Sequence, residues 1–198
     1  MSSNTVHVWD GGSGSISDTY DFIYGQGNVP YGNMKYGISS VGFSGCEAVA
    51  IYNALILIDK PVSFEVIRNN MLFSISKGGG YGMAGLFGGD QGDIMNTLNA
   101  LRVNYVHASY EQLNALDSDT VMIIGYWSSM SFSLGFSVRN KEVFINIPSI
   151  HTVAVHYTNG EYIIYNPFNN SQDVSRLSSL RELLTEGRKY IYGFILQP

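Results

Sequence analysis

A single cysteine, Cys46, stands in a chain with four histidines, His7, His107, His151 and His156. Cys46 follows Ser44-Gly45 and opens the most apolar stretch of the sequence, which runs to Ile58. That stretch reads as a helix, so the thiol sits at a helix N-terminus, where the positive end of the macrodipole favours thiolate. The N–H groups there lack intrahelical acceptors, and one of them can hold an oxyanion. A cysteine so placed has the setting of a nucleophile. The competing reading is a small buried hydrophobe, a common state of free cysteine. A thiol nucleophile needs a base, so the histidines decide between the two.

His7 falls in an expected terminal strand and His107 in a connection, and both read as structural or solvated. His151 and His156 share the predicted strand 150–157, but their odd spacing sends them to opposite faces. Asn159-Gly160 is a two-residue hairpin signal, which pairs Thr158 with Glu161. Paired positions then sum to 319, so Asn166 lies opposite Val153, on the face of His151. The ring and the amide become diagonal neighbours on adjacent strands, within reach of each other. His156 pairs with Ile163 on the other face. The register therefore selects His151 as base and Asn166 as the group that orients it, with Pro167 ending the strand.

These residues need a helix and a sheet to hold them. The stretch 46–58 is apolar on every side, as a buried central helix must be. It ends before Asp59-Lys60-Pro61. Ser63 caps a second helix to about Ser76, with Glu65 in its first turn. Asp90 caps a third helix through Leu101, and Ser109 with Gln112 boxes a short fourth. Strands follow over 120–126, 142–147, 150–157 and 161–165. A helix over 177–185, boxed by Ser179 and Glu182, precedes a last strand over 190–196. Helices first and antiparallel strands later make an α+β domain. One domain is expected over 1–198: a loop-rich lead-in to 45, a helical half over 46–118, and a mainly β half over 119–198.

The order Cys46, His151, Asn166 resembles that of the papain-like cysteine peptidases. The upstream stretch is similar to the bacterial branch that includes the bacteriocin-leader (double-glycine) peptidase domains. Gln26 stands twenty residues before Cys46, and Tyr36-Gly37 ten and nine before it. Ser39-Ser40-Val41-Gly42-Phe43-Ser44-Gly45 then leads into the cysteine. Downstream, His151-Thr152-Val153-Ala154-Val155, the Asn159-Gly160 turn and Tyr165-Asn166-Pro167 follow the same pattern. The likeness runs from Gln26 to Phe168 as two short motifs joined by unmatched sequence. It implies a papain-like fold, with the Cys46 helix packed on an antiparallel sheet carrying His151 and Asn166. It also implies Gln26 as the side-chain donor of an oxyanion hole, and a peptidase without cofactor or metal. Two positions depart from the branch. Glu47-Ala48-Val49 replaces Gly-Pro and a small residue after the cysteine, and Asn166 replaces the commoner Asp. A carboxylate beside the thiol opposes a low thiol pKa.

Composition narrows the function further. The net charge is −5 and the 11 basic residues are scattered, which disfavours a nucleic-acid binder. One cysteine excludes an internal disulfide and a zinc site built from thiolates. The longest apolar run is about half of a membrane span, and Met1-Ser2-Ser3-Asn4 lacks the basic start of a signal peptide. The sequence reads as soluble, with export left open. Gly78-Gly79-Gly80-Tyr81-Gly82 lacks the Gly-Lys-Ser/Thr ending of a phosphate loop, and residues 77–92 read as a flexible segment beside the cleft. Asp90 and Asp93 read as helix caps, and residues 127–137 as an exposed apolar loop or a substrate wall. The expected function is a thiol hydrolase that cuts a peptide or isopeptide bond in a peptide or protein. The alternatives are a secreted papain-like toxin acting as deamidase or acyl transferase, with an immunity or inhibitor protein as partner, and an inactive peptide-binding module. A third is an unrelated α+β binding domain with Cys46 in its core.

Overall fold

Ala48, Val49, Ala50, Ile51, Ala54 and Leu55 are fully buried, as the all-round apolar character of their helix requires. The computed structural model describes residues 20–77, 88–138, 141–185 and 187–198, with side chains described outside 129–138 and 141–148. A 3-10 turn (Tyr31–Asn33) and the small ribbon β1 (Lys35–Tyr36) and β2 (Ser39–Ser40) lead into α1 (Val41–Ser44). Then comes the central helix α2 (Cys46–Leu57), followed by α3 (Phe64–Ser76) and α4 (Gln91–Ala100). Next are β3 (Asn104–His107), α5 (Tyr110–Leu113), β4 (Thr120–Val138), β5 (Lys141–Thr158) and β6 (Glu161–Tyr165). The chain closes with β7 (Ser175–Leu177), α6 (Leu180–Leu183) and β8 (Lys189–Gln197). Asp90 caps α4 in a reciprocal box with Asp93, and Ser109 with Gln112 boxes α5.

Six strands form one antiparallel sheet in the order β3-β8-β4-β5-β6-β7. One face carries Val121, Ile123, Ala154, Ile163 and Phe194 and packs on α2, α3 and α4. The other carries Met122, Ile124, Tyr126, Val153 and Val155 and is covered by Leu113, Leu180 and Leu183. The fold is therefore α+β, with helices on an antiparallel sheet. Among the described residues no helix is long and apolar enough to cross a membrane.

Several boundaries differ from the sequence expectation. The strands expected over 142–147 and 150–157 are one strand, β5, which carries Pro148 opposite Ser131 on β4. Proline is tolerated there because β6 pairs only from Ala154 onward, leaving that edge of β5 without a ladder to interrupt. The backbone of 127–137 is strand rather than loop. The last helix is shortened to four residues because 175–177 joins β6 as a strand.

The lead-in is tied to the central helix by one side chain. Asn53, buried on α2, accepts from the Ile23 N–H at 2.9 Å and donates to the Ile23 carbonyl at 2.8 Å. This clamp brings the segment carrying Gln26 alongside α2.

Gly125 sits where the sheet must leave room. It pairs with Thr152 on one side and Tyr192 on the other, and a Cβ there would run into the Tyr192 ring. The close approach lets the Tyr192 hydroxyl share a 2.7 Å hydrogen bond with Thr152 Oγ1. Gly125→Ala is expected to cost about 1–3 kcal/mol through overpacking. A urea titration reads this as a lower midpoint with an unchanged slope.

Candidate active site

The hairpin follows the register that Asn159-Gly160 dictates. Thr158 pairs with Glu161, His156 with Ile163 and Ala154 with Tyr165. Asn159 and Gly160 take φ of 52° and 80°, as a type I′ turn demands. In such a hairpin the even-numbered residues of β5 turn their N–H and C=O groups toward β6. The ladder stops at Tyr165, so the Thr152 N–H and the Ile150 carbonyl face an edge that no strand pairs.

Cys46 occupies that edge. Its sulfur lies 4.0 Å from the Ile150 carbonyl oxygen, with Thr152 beside it on the other side and favouring its charged form. His151 is the residue between these two contacts. The start of α2 and the strand that bears the imidazole thus meet at one point, with the thiol at the sheet edge rather than over either face.

His151 projects from the face shared with Val153. Its ring stands edge-on to Tyr126, centroids 5.8 Å apart, and its Nε2 is 2.8 Å from the Asn166 backbone carbonyl. A carbonyl oxygen only accepts, so Nε2 carries the hydrogen and Nδ1 keeps its lone pair. Asn166 therefore contacts His151 as the register suggests, but through a different atom. Its φ of +61° takes it out of the ladder instead of opposite Val153. The turn swings the carbonyl to the imidazole and the side chain to Gln26. The Asn166 Oδ1 accepts from the Gln26 N–H at 2.8 Å, and its Nδ2 donates to Gln26 Oε1 at 3.0 Å.

Gln26 is buried and joins the two halves of the site. Its Nε2 donates to the carbonyls of Val41 and Gly42, at 3.4 and 3.3 Å, in the short helix that precedes Cys46. Asn166 is thus a hub between His151 and Gln26. Asn166→Ala is expected to lose two buried hydrogen bonds, about 1 kcal/mol each, and to add about 1–2 kcal/mol for a left-handed non-glycine backbone. Asn166→Gly loses the bonds without the backbone penalty, so thermal melts should rank wild type above Gly and Gly above Ala.

The electrostatics run against the helix-end expectation. Burial pushes the Cys46 thiol well above its ordinary value, and the Glu47 carboxyl beside it adds to the rise. A helix end supplies about 0.3–1 kcal/mol, rising to about 2 kcal/mol in buried geometry, whereas burial can move a pKa by several units. Desolvation wins because the thiol is only 5% exposed. The expected depressed thiol pKa is therefore corrected. His151 is held below its ordinary value by burial and by Arg188, against the hydrogen bond it donates to the Asn166 carbonyl, which raises it. At neutral pH the resting pair is thiol and neutral imidazole. The guanidinium of Arg188 lies 5.7 Å from the ring centres of both Tyr126 and Phe168, and completes the surroundings of His151.

The other sequence candidates lie elsewhere. His156 contacts Asp119 at 2.8 Å on the opposite face of β5, and His107 lies in β3, 3.3 Å from Gln91. His7 and the run 78–82 fall outside the described residues. Sequence reasoning missed Thr152, Tyr126 and Arg188, whose roles come from long-range register, and the burial of Glu47. Among the described residues no three or more His, Cys, Asp or Glu side chains are grouped to hold a metal ion. Neither a protein-family model nor a curated protein matches the chain.

Proposed function

We propose that the protein is a papain-like thiol hydrolase that cleaves peptide or isopeptide bonds. The observation that carries this reading is the seating of the Cys46 sulfur against the backbone on both sides of His151, whose Nδ1 is left free to accept a proton. In the proposed reaction the thiol proton passes to Nδ1 and the sulfur attacks the substrate carbonyl carbon. The Cys46 N–H holds the oxyanion, joined by Gln26 Nε2 once it leaves the Val41 and Gly42 carbonyls. Collapse breaks the C–N bond, the leaving amine takes the proton from Nδ1, and a thioester remains. Water then yields a proton to Nδ1 and attacks the thioester. The carboxylic acid departs and the proton returns to sulfur. Asn166 steadies the imidazolium through its carbonyl. Trp127, opposite Ile150 and 37% exposed, and Phe168, 56% exposed, give a peptide apolar footing beside the edge.

One observation favours a second reading. A buried, protonated resting thiol also suits a papain-like module that binds peptides without cutting them. Incubating a peptide library with the wild type and with Cys46→Ala separates the two. Sequence-specific products that vanish in the variant support the hydrolase. Peptide retention by wild type with no cleavage leaves the binding module.

A further inference from the structure

We propose that Glu47 is a positioning residue of the thiol site: its carboxyl stands against Cys46 as the uncharged acid, and its ionisation in alkali withdraws the nucleophile. The proposal rests on the thiol-hydrolase reading and deepens it, by naming how the site is regulated by pH.

The geometry supplies too little to hold a carboxylate. Glu47 lies in the first turn of α2, is 1% exposed, and curls back to the thiol of its neighbour. Its own N–H, the Gly89 N–H and the Cys46 thiol favour its charged form, but less than burial opposes it. Oε2 is buried with no hydrogen-bond partner. Gly88, at φ +83°, closes over the carboxyl so tightly that a Cβ there would lie 2.8 Å from Oε1 and 3.0 Å from Oε2. Among the described residues, the titratable groups facing it are Cys46 on its own helix, Asp93 on α4 and Tyr36 on β1, all of them acids. An ionised carboxylate there would have a bare buried oxygen and, among the described residues, no opposing cation, which is expensive. Burial accordingly raises the carboxyl to about 8.

The consequence falls on the sulfur. While Glu47 is protonated it carries no charge to oppose a thiolate, and its O–H can donate to one. Once it ionises, a negative charge is fixed beside the sulfur and the thiolate is disfavoured. An ordinary thiol gains reactivity steadily toward alkaline pH. This one is held back there.

Native-state alkylation by iodoacetamide reads the thiolate directly, because sulfur displaces iodide without any turnover. Glu47→Gln is expected to label about ten-fold or more faster than wild type at pH 9, and within about two-fold of it at pH 6.5. An equal ratio at both pH values would mean a packing role only. A large ratio already at pH 6.5 would mean a carboxylate at rest. Either result overturns the proposal. Infrared spectra of the wild type keep the test open if the variant does not fold: a buried carboxylic-acid carbonyl band should be present at pH 6.5 and lost by pH 9.5. Its absence at pH 6.5 also overturns the proposal. If the labelling pattern holds while no peptide is cleaved, the hydrolase reading falls and the coupling of Glu47 to Cys46 stands. Cleavage by wild type without the labelling pattern sinks the Glu47 proposal alone.

Discussion

Cys46→Ser is expected to lose turnover by at least about a thousand-fold while melting close to wild type. The substitution changes one buried atom for a slightly smaller one, so the packing around the start of α2 is nearly kept. The proposed chemistry, by contrast, depends on a thiol giving its proton to an imidazole, and a serine hydroxyl gives its proton up far less readily. His151→Ala should fall by a similar factor, since residues that act as one unit lose function together rather than in proportion. His156→Ala should be mild, because that ring sits with Asp119 on the other face. The measure is kcat/KM on the peptide that the library screen returns, alongside thermal melts. Activity retained in Cys46→Ser, with the fold intact, would remove the nucleophile from the account.

Glu47→Gln is expected to change the pH dependence of stability. A carboxyl whose folded pKa is raised binds its proton more tightly when folded. Its contribution is fully present below the unfolded value of 4.5 and is lost as pH climbs through the folded value of about 8. Each unit in that window amounts to about 1.4 kcal/mol, so the wild type should lose about 5 kcal/mol of stability between them on account of Glu47. Glutamine cannot titrate, and the variant should show a flatter profile. Asp93, raised by burial, and His151, lowered by it, also shape the curve. Both are common to the two proteins, so the difference between the profiles reports Glu47 and its mutual repulsion with Asp93. Urea titrations at pH 5, 6.5 and 8 make the comparison. Parallel profiles would show that Glu47 does not hold a proton in the folded state.

What can be read from sequence here is mostly what is local. Asn159-Gly160 sets a hairpin because only a few residue types accept its backbone, and the register then runs out to Ala154 and Tyr165 as counted. The capping boxes at Ser109 and Ser179 are legible for the same reason, since both partners lie within one turn. Ser63 occupies the expected N-cap of α3 but makes no side-chain bond. Asn166 marks the limit. Asparagine takes left-handed backbone more readily than most residues, yet nothing beside it distinguishes an Asn that continues a strand from one that leaves it. The residue that meets His151 is legible, and the atom that makes the contact is not. Glu47 is harder still. An acid at a helix start reads as solvated, and its burial depends on Gly88 and Gly89, which reach it from 41 and 42 positions along the chain. The thiol pKa follows that error, because the helix end is visible in the sequence and the desolvation is not.

In the proposed reaction Cys46 carries the acyl group during turnover, and the acyl-enzyme itself is the thing to catch. The wild type is mixed with its peptide substrate, quenched in acid within the first turnovers, and weighed intact by mass spectrometry. The expected result is a mass increase equal to the acyl fragment, mapped to Cys46 after digestion, absent in Cys46→Ala and nearly so in His151→Ala. Cleavage at an undiminished rate in Cys46→Ala, with no adduct on the wild-type thiol, would rule out Cys46 as the nucleophile.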